Sequence, residues 1–323
     1  MINTAQHPPA RSRTVADEAW LVVVAAAAGA ERAEAAGQRA SYALNDDGSL
    51  REVEADSAES VLRWFPGSGW ADNLADDDPR QPLIDLYLPI CSATRLRPIA
   101  VGHLGQSLDG FIATHGGDSQ YVTGRENILH LHRLRALCDA IIVGAGTVAA
   151  DDPQLTTRHV PGPSPLRVIF DPTRGLEHHY RVFSDGSAET LYVCGRSLTT
   201  PEESHFGQAR LVAVDDHEEG VDVADVVHLL HQRGCSRIFI EGGGVTVSTF
   251  LEADLLDRLQ IAIAPLIIGE GRPAIRLDPP DLLSQCQRPR YRVFKMGGDI
   301  LFDCDLRSTE DDRARSDTVS RII

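Results

Sequence analysis

The sequence predicts an α/β protein, a sheet flanked by helices, and three observations carry that expectation. From Pro98 onward, short apolar runs of strand composition alternate with stretches of helical periodicity. Several of those runs end in glycine, and a strand that ends in small residues lets another backbone or a ligand come close. Near the end, YRVFK and ILFDCD flank a Gly-Gly-Asp turn and read as an antiparallel hairpin. At 323 residues, 42% hydrophobic and 24% charged, the chain fits a soluble globular protein with a large core.

In order along the chain, residues 1–97 read as an N-terminal accessory segment of unknown role. Its apolar run LVVVAAAAGA at 21–30 is too short to span a bilayer. Asp17 and Glu18 interrupt the approach and ERAEA continues the helical pattern, which makes a buried helix rather than a signal peptide. SYALNDDGSL then predicts a strand, AESVLRWF a second helix and GSGWADNLADDDPRQP a loop. LIDLYLPI at 83–90 is too apolar for a free linker, so the segment is expected to pack on the domain that follows it. From 98 to 306, strands are expected at PIAVGHL, AIIVGA, LRVIFD, TLYVCG, RLVAVD, RIFIEGG and RLQIAIAPLII. Helices are expected at ENILHLHRLRALCD, VADVVHLLHQRG and VTVSTFLEADLLD. The polar stretch 307–323 is expected to be a flexible tail.

Charge and cysteine usage narrow the function. A net charge of −16 argues against a nucleic-acid binder, which needs clustered Lys and Arg. An anionic ligand would therefore need a locally basic pocket. Cys91, Cys138, Cys194, Cys235, Cys286 and Cys304 form no C-x-x-C, and no histidine stands at zinc spacing from them. No metal is expected, and scattered single cysteines fit a reducing cytoplasm. His130, His132, His178, His179, His228 and His231 show no matched ligand set either.

Four clusters can carry chemistry: HLGQSLDGFIA at 103–113, GGDSQYVTGRE at 116–126, IIVGAGTVAADDPQLTTR at 141–158 and FIEGGGVTVSTF at 239–250. In the last, three glycines after Glu241 open a helix, where backbone N–H groups and the helix dipole attract phosphate oxygens. The spacing is not the G-x-G-x-x-G of a Rossmann turn. Read singly, each residue has a plain alternative: Arg135 as a solvated helix face, Arg158 as a loop charge, His103 as a satisfied core histidine. Glu241, after an apolar strand, has the stronger functional case, since buried carboxylates need a partner or a task.

Taken together and in order, SLDGFIAT, GDSQYVTG, HRLRALCDAIIVGAGTVAADDPQLTTR and IEGGG resemble the reductase domain of riboflavin biosynthesis. That resemblance implies a dihydrofolate-reductase-like mixed sheet flanked by helices, NADPH as cofactor, a phosphorylated small-molecule substrate and a homodimer. It implies reduction of a ribosylamino-pyrimidine phosphate to the ribitylamino form. Reduction of another pyrimidine, a pterin or dihydrofolate, or a ligand-binding paralogue without catalysis, are the alternatives. The zinc deaminase of bifunctional relatives is not expected, because residues 1–97 hold neither H-x-E nor P-C-x-x-C.

By the same resemblance, Gly105, Tyr121, Thr147, Asp151 and the run Gly243, Gly244, Val245, Thr246 to Thr249 lie on the cofactor side. Arg174, just after LRVIFD, is expected at the cofactor's 2′-phosphate. Ser119, Arg135, Leu155, Arg158 and Glu241 lie on the substrate side, the two arginines clamping its phosphate. Asp151, Glu241 and His103 are the candidate proton donors. Three positions depart from the family's usual residues: His103 for lysine, Tyr121 for tryptophan and Pro172 for serine.

Overall fold

In the computed structural model, which describes residues 13–217 and 220–307, the chain divides into two units, one ending at Ser92 and one beginning at Ala93. The expected tail from 308 onward lies outside the described residues. No described helix is long and apolar enough to cross a membrane.

The first unit opens on α1 (Val15–Ala36), started by a capping box in which the Thr14 side chain accepts from the Asp17 N–H and Asp17 accepts from the Thr14 N–H. One face of this helix is buried, with Val22, Val23, Ala25, Ala26, Gly29 and Ala30 inward, while Ala28 is exposed. Strands β1 (Ala40–Leu44), β2 (Leu50–Val53), β3 (Leu62–Phe65) and β4 (Gly69–Asp72) follow, in an antiparallel sheet of order β2-β1-β3-β4. AESVLRWF, expected as a helix, thus supplies β3, and the expected loop after it supplies β4. The reason is tertiary: Leu62 and Trp64 point to one face with a period of two and are wholly buried. Trp70 packs edge-on against Trp64 at 4.8 Å and Tyr42 at 5.2 Å, and its indole N–H donates to the Ala26 carbonyl at 3.0 Å. LIDLYLPI lies in α2 (Gln81–Cys91), where Tyr87 meets the Trp20 ring at 5.7 Å. Its apolar content is therefore absorbed inside this unit.

The second unit runs β5 (Ile99–Ser107), β6 (Phe111–Thr114), α3 (Arg125–Leu137), β7 (Ala140–Gly144), α4 (Ala145–Asp151), β8 (Leu166–Phe170), α5 (Arg181–Ser184) and β9 (Thr190–Gly195). It continues with β10 (His205–Phe206), β11 (Ala209–Val214), β12 (Asp216–His217), β13 (Gly220–Val221), α6 (Val223–Gln232) and β14 (Arg237–Glu241). The last elements are α7 (Gly244–Glu252), β15 (Arg258–Ala264), β16 (Gly271–Pro273), β17 (Arg290–Met296) and β18 (Asp299–Asp305). The main sheet has the order β10-β11-β9-β8-β7-β14-β5-β15-β18-β17. From β11 to β15 neighbouring strands are parallel, while β18 and β17 form the expected antiparallel hairpin at one edge. This is the mixed sheet flanked by helices that the sequence implies. One local difference is α4: the alanine-containing AGTVAAD coils into a short helix closed by Asp152 at φ 39° rather than forming a loop.

The chain leaves β7 toward β8 on one side and leaves β14 toward β15 on the other. Between β7 and β14 the winding reverses, and such a crevice at the carboxyl ends of strands is where α/β sheets receive ligands. Toward the hairpin edge, Asp303 on β18 ties together β15, β18 and β17. It is fully buried and accepts from Arg258 at 3.0 and 2.6 Å, Arg292 at 2.9 Å and Gln260 at 3.1 Å. Gln260 in turn meets the buried His130 ring on α3 at 2.9 Å, a structural role for that histidine. Removing the carboxylate strands Arg258 in the interior, so Asp303→Ala is expected to lower unfolding free energy by about 3–5 kcal/mol. Urea denaturation of the variant against the wild-type chain measures it.

Candidate active site

Glycines bring the strand ends and helices of the crevice into contact. A Cβ on Gly144, the last residue of β7, would overlap the Thr246 hydroxyl. One on Gly244 would overlap the carbonyls of Pro273 and Ala274. Gly242 holds φ 140°, a conformation side chains rarely adopt, and the next N–H, of Gly243, donates to Thr147 Oγ1 at 3.0 Å. By contrast, a Cβ on Gly146 would meet nothing within 4 Å and one on Gly243 nothing nearer than 3.5 Å. Packing therefore does not require glycine at those two positions, which leave bare backbone facing a cleft of about 740 Å³. The first turn of α7 opens on that cleft with Gly244, Val245 and Thr246. A glycine-lined crevice with free helix N–H groups fits a dinucleotide's phosphates.

His103, Gly105, Ser119, Thr147, Asp151, Glu241, Gly243, Gly244, Val245 and Thr246, expected from the sequence, all line this cleft. Glu241 ends β14 directly opposite His103 on β5. Arg135 reaches from α3 and grips it at both oxygens, Nε to Oε2 at 2.8 Å and Nη2 to Oε1 at 2.5 Å. That fork is buried, and Arg135 also touches the Thr156 carbonyl at 3.4 Å. Arg135 is therefore not the free phosphate clamp that was expected, because a bidentate carboxylate already satisfies its charge. Arg158 donates to the Thr156 hydroxyl at 2.7 Å. Burial, then the neighbouring Arg135 and Arg181, make its proton easier to lose than usual.

Asp151, at the end of α4, keeps its proton to higher pH than an ordinary aspartate. Burial is the main cause and the Glu241 charge the second, with Arg272 opposing both. His103 lies on the cleft floor, 3% exposed, and meets Asn127 Oδ1 at 3.0 Å. Asn127 donates to the Thr123 hydroxyl at 2.9 Å, so its carbonyl oxygen is the atom facing the ring. Burial holds His103 down to about 4, although Glu241 and Asn127 pull the other way. It is neutral near pH 7, not the titrating cation that would replace a lysine.

Five expected residues lie outside the cleft lining: Tyr121, Leu155, Arg158, Arg174 and Arg135, the last behind Glu241. Tyr121 is 84% exposed at φ 64°, and Leu155 is buried. Arg174 is committed to Glu203 by two hydrogen bonds, at 2.9 and 2.7 Å, and to the Leu198 carbonyl. A cofactor phosphate at Arg174, as expected, would have to compete with that carboxylate. Sequence reasoning missed Thr123, Asn127, Arg272 and Arg276, which do line the cleft. Only the i,i+4 spacing of Thr123 and Asn127 hinted at a helix-start pair; nothing marked the two arginines.

Fold and site define a mixed-sheet α/β domain with a glycine-lined ligand cleft at its topological switch point. The chain belongs to the family described as the RibD C-terminal domain, which matches residues 101–293. It is 37% identical over 219 residues to the 2,5-diamino-6-ribosylamino-4(3H)-pyrimidinone 5′-phosphate reductase of Methanothermobacter thermautotrophicus, covering 66% of this chain and all of that protein. The protein of the same name from Archaeoglobus fulgidus is 31% identical over 202 residues, 59% of this chain and 91% of its own. Among solved structures, a deaminase/5-amino-6-(5-phosphoribosylamino)uracil reductase from Thermotoga maritima superposes with a TM-score of 0.56 at 26% identity, over 70% of this chain and 61% of that one.

The buried histidines set a pH dependence. His103 is held to about 4, His132 to about 3 and His130 well below its ordinary value, in each case chiefly by burial. Below about pH 6.5 the unfolded chain binds protons that the folded chain refuses, so stability falls as the medium is acidified toward pH 4. Melting temperature measured from pH 7 to 4 is expected to show this fall, with a shallower slope in His103→Gln.

Proposed function

We propose that the chain is an NADPH-dependent reductase in riboflavin biosynthesis, converting a ribosylamino-pyrimidine 5′-phosphate to its ribitylamino form. The observation that carries this reading is the 37% match over the entire length of an archaeal protein named for that reductase activity. The glycine-lined switch-point cleft gives it a physical basis. NADPH bound there would supply the hydride for the sugar C1′. The chain's residues would do the rest: orient the pyrimidine, exclude water and deliver a proton.

In this scheme Arg135 acts on Glu241, fixing its carboxylate so that it accepts hydrogen bonds from donors on the pyrimidine. The sugar ring opens as its C1′–O bond breaks and a C1′=N bond forms, the amine proton passing to the ring oxygen to leave a neutral imine. Hydride then adds to C1′ and a proton to nitrogen. Asp151 is the proton donor of choice, because it lines the cleft and burial makes it hold its proton more tightly than an ordinary aspartate. Arg158, whose guanidinium holds a hydroxyl partner rather than a carboxylate, remains the proposed contact from the expected clamp. A cytoplasmic location is supported by six cysteines of which none forms a disulfide, and a homodimer by the family resemblance alone.

The neutral His103–Asn127 pair, where the family usually has lysine, favours a second reading in which the same cleft reduces a different pyrimidine or a pterin. NADPH oxidation measured against phosphorylated pyrimidines, pterins and dihydrofolate is expected to select the ribosylamino-pyrimidine phosphate. Turnover confined to a pterin would establish the second reading, and no turnover with any would sink both. In the active enzyme kcat should fall as pH rises through the Asp151 titration. Asp151→Asn should lower kcat by about 100-fold or more and flatten that limb.

A further inference from the structure

Arg272 and Arg276 are the cleft's only lysine or arginine residues among those described, and they were not foreseen from the sequence. Both belong to the segment that begins with β16, which pairs with β6 through Arg272 opposite Ala113. Two backbone contacts hold that segment against α7. Gly244 leaves no room for a Cβ under the Pro273 and Ala274 carbonyls, and the Arg276 N–H donates to Ser248 Oγ at 2.8 Å. The backbone beneath the two guanidinium groups is therefore fixed, while both side chains remain exposed to the cleft.

Their charges are also uncommitted. Among the described residues, neither guanidinium has an ion-pair or hydrogen-bond partner. Four of the arginines named above are taken by carboxylates, Arg135 by Glu241, Arg174 by Glu203, and Arg258 and Arg292 by Asp303, while Arg158 donates to the Thr156 hydroxyl outside the cleft lining. None of the cleft's acids forms an ion pair with the two, although the Arg272 charge is felt by Asp151 through space. Asp171 is buried and accepts from the Tyr192 hydroxyl at 2.7 Å and the Leu176 N–H at 2.9 Å, and Glu241 is held by Arg135. In a chain of net charge −16, two free guanidinium groups flanking one cleft are a local exception to the sign of the whole molecule. Arg272 lies against Gly117, on the loop that carries Ser119, and Arg276 lies beside α7, so they bracket the cleft from two sides.

We propose that Arg272 and Arg276 are the phosphate-binding pair of this cleft, receiving a phosphate monoester or pyrophosphate by charge-assisted hydrogen bonds. This deepens the function proposed above and rests on it for the identity of the ligands. The phosphate has two sources, the cofactor's 2′-phosphate and pyrophosphate or the substrate's 5′-phosphate, and the recognition chemistry is the same for both.

Binding without turnover tests the pair. Titration calorimetry with NADP⁺, NAD⁺, inorganic pyrophosphate, and the pyrimidine with and without its phosphate would be run on the full chain and on Arg272→Ala, Arg276→Ala and the double variant. Each single change is expected to weaken a phosphate-bearing ligand by about 10- to 150-fold and leave its phosphate-free counterpart within about twofold. A loss for NADP⁺ but not NAD⁺ assigns the arginine to the 2′-phosphate, a loss for both along with pyrophosphate assigns it to the pyrophosphate, and a loss for the phosphorylated pyrimidine alone assigns it to the substrate. Arg→Lys variants should recover part of the affinity. Neither side chain is packed, so melting temperature should not move. Unchanged binding of every phosphate ligand, equal loss for the phosphorylated and bare pyrimidine, or no binding of NADP⁺ and pyrophosphate by the wild-type chain would overturn the pair. A wild-type chain that binds NADP⁺ through these arginines yet reduces no pyrimidine would instead sink the proposed function and leave the pair standing.

Discussion

The close approach of β7, α7 and the 271–276 segment is the constraint on which the second unit depends. Gly144 lies under the Thr246 hydroxyl, Gly244 under the Pro273 and Ala274 carbonyls, and Gly243 donates to Thr147. A methyl group at Gly144 or Gly244 would push the helix off the strand ends. Because each of these contacts sets a glycine backbone directly against a carbonyl or a threonine hydroxyl, the crevice between β7 and β14 has fixed walls. The side chains that matter, Glu241, Asp151 and Thr147, are presented from rigid ends rather than from free loops. That is the arrangement a reaction between two bound partners requires.

Electrostatics follow from the same walls. Burial makes each charge near the cleft expensive unless it is paired, and most are paired. Arg135 and Glu241 neutralise one another, Asp171 is satisfied by a hydroxyl and an amide, and His103 is kept neutral. What remains at the surface of the cleft are Arg272 and Arg276, without ion-pair partners, and Asp151, whose proton burial holds more tightly than in an ordinary aspartate. A strongly acidic chain thus offers a site whose free charges suit an anion.

Legibility in the sequence tracked how local the cause was. The strands of the second unit could be read because each is a short apolar run with its own boundary signals, and the β17–β18 turn is marked by Gly297, Gly298 and Asp299. The cleft-lining glycines and Glu241 were legible as an ordered set of motifs. AESVLRWF was not, since its strand character comes from Trp64 meeting Trp70, a partner in the next strand. The state of Arg135 and Arg174 was hidden for a similar reason. An arginine in a motif looks like a free cation until the carboxylate it meets, Glu241 or Glu203, is brought to it by the fold. Arg272 and Arg276 carry no local signature at all; only the packing of their segment on α7 gives them a place.

The position of β5 in the sheet has a consequence for how the molecule comes into being. It is the first strand of its unit, yet its neighbours are β14 and β15, which begin at Arg237 and Arg258. Well over a hundred residues must be made before either edge of β5 finds a hydrogen-bond partner. Until then a nine-residue strand whose first six residues are all interior in the finished fold has nothing to pair with. Long-range parallel pairing of this kind is slow and leaves sticky edges exposed. The late-arriving strands therefore govern not just the shape of the crevice but the moment at which the growing chain becomes safe from its neighbours.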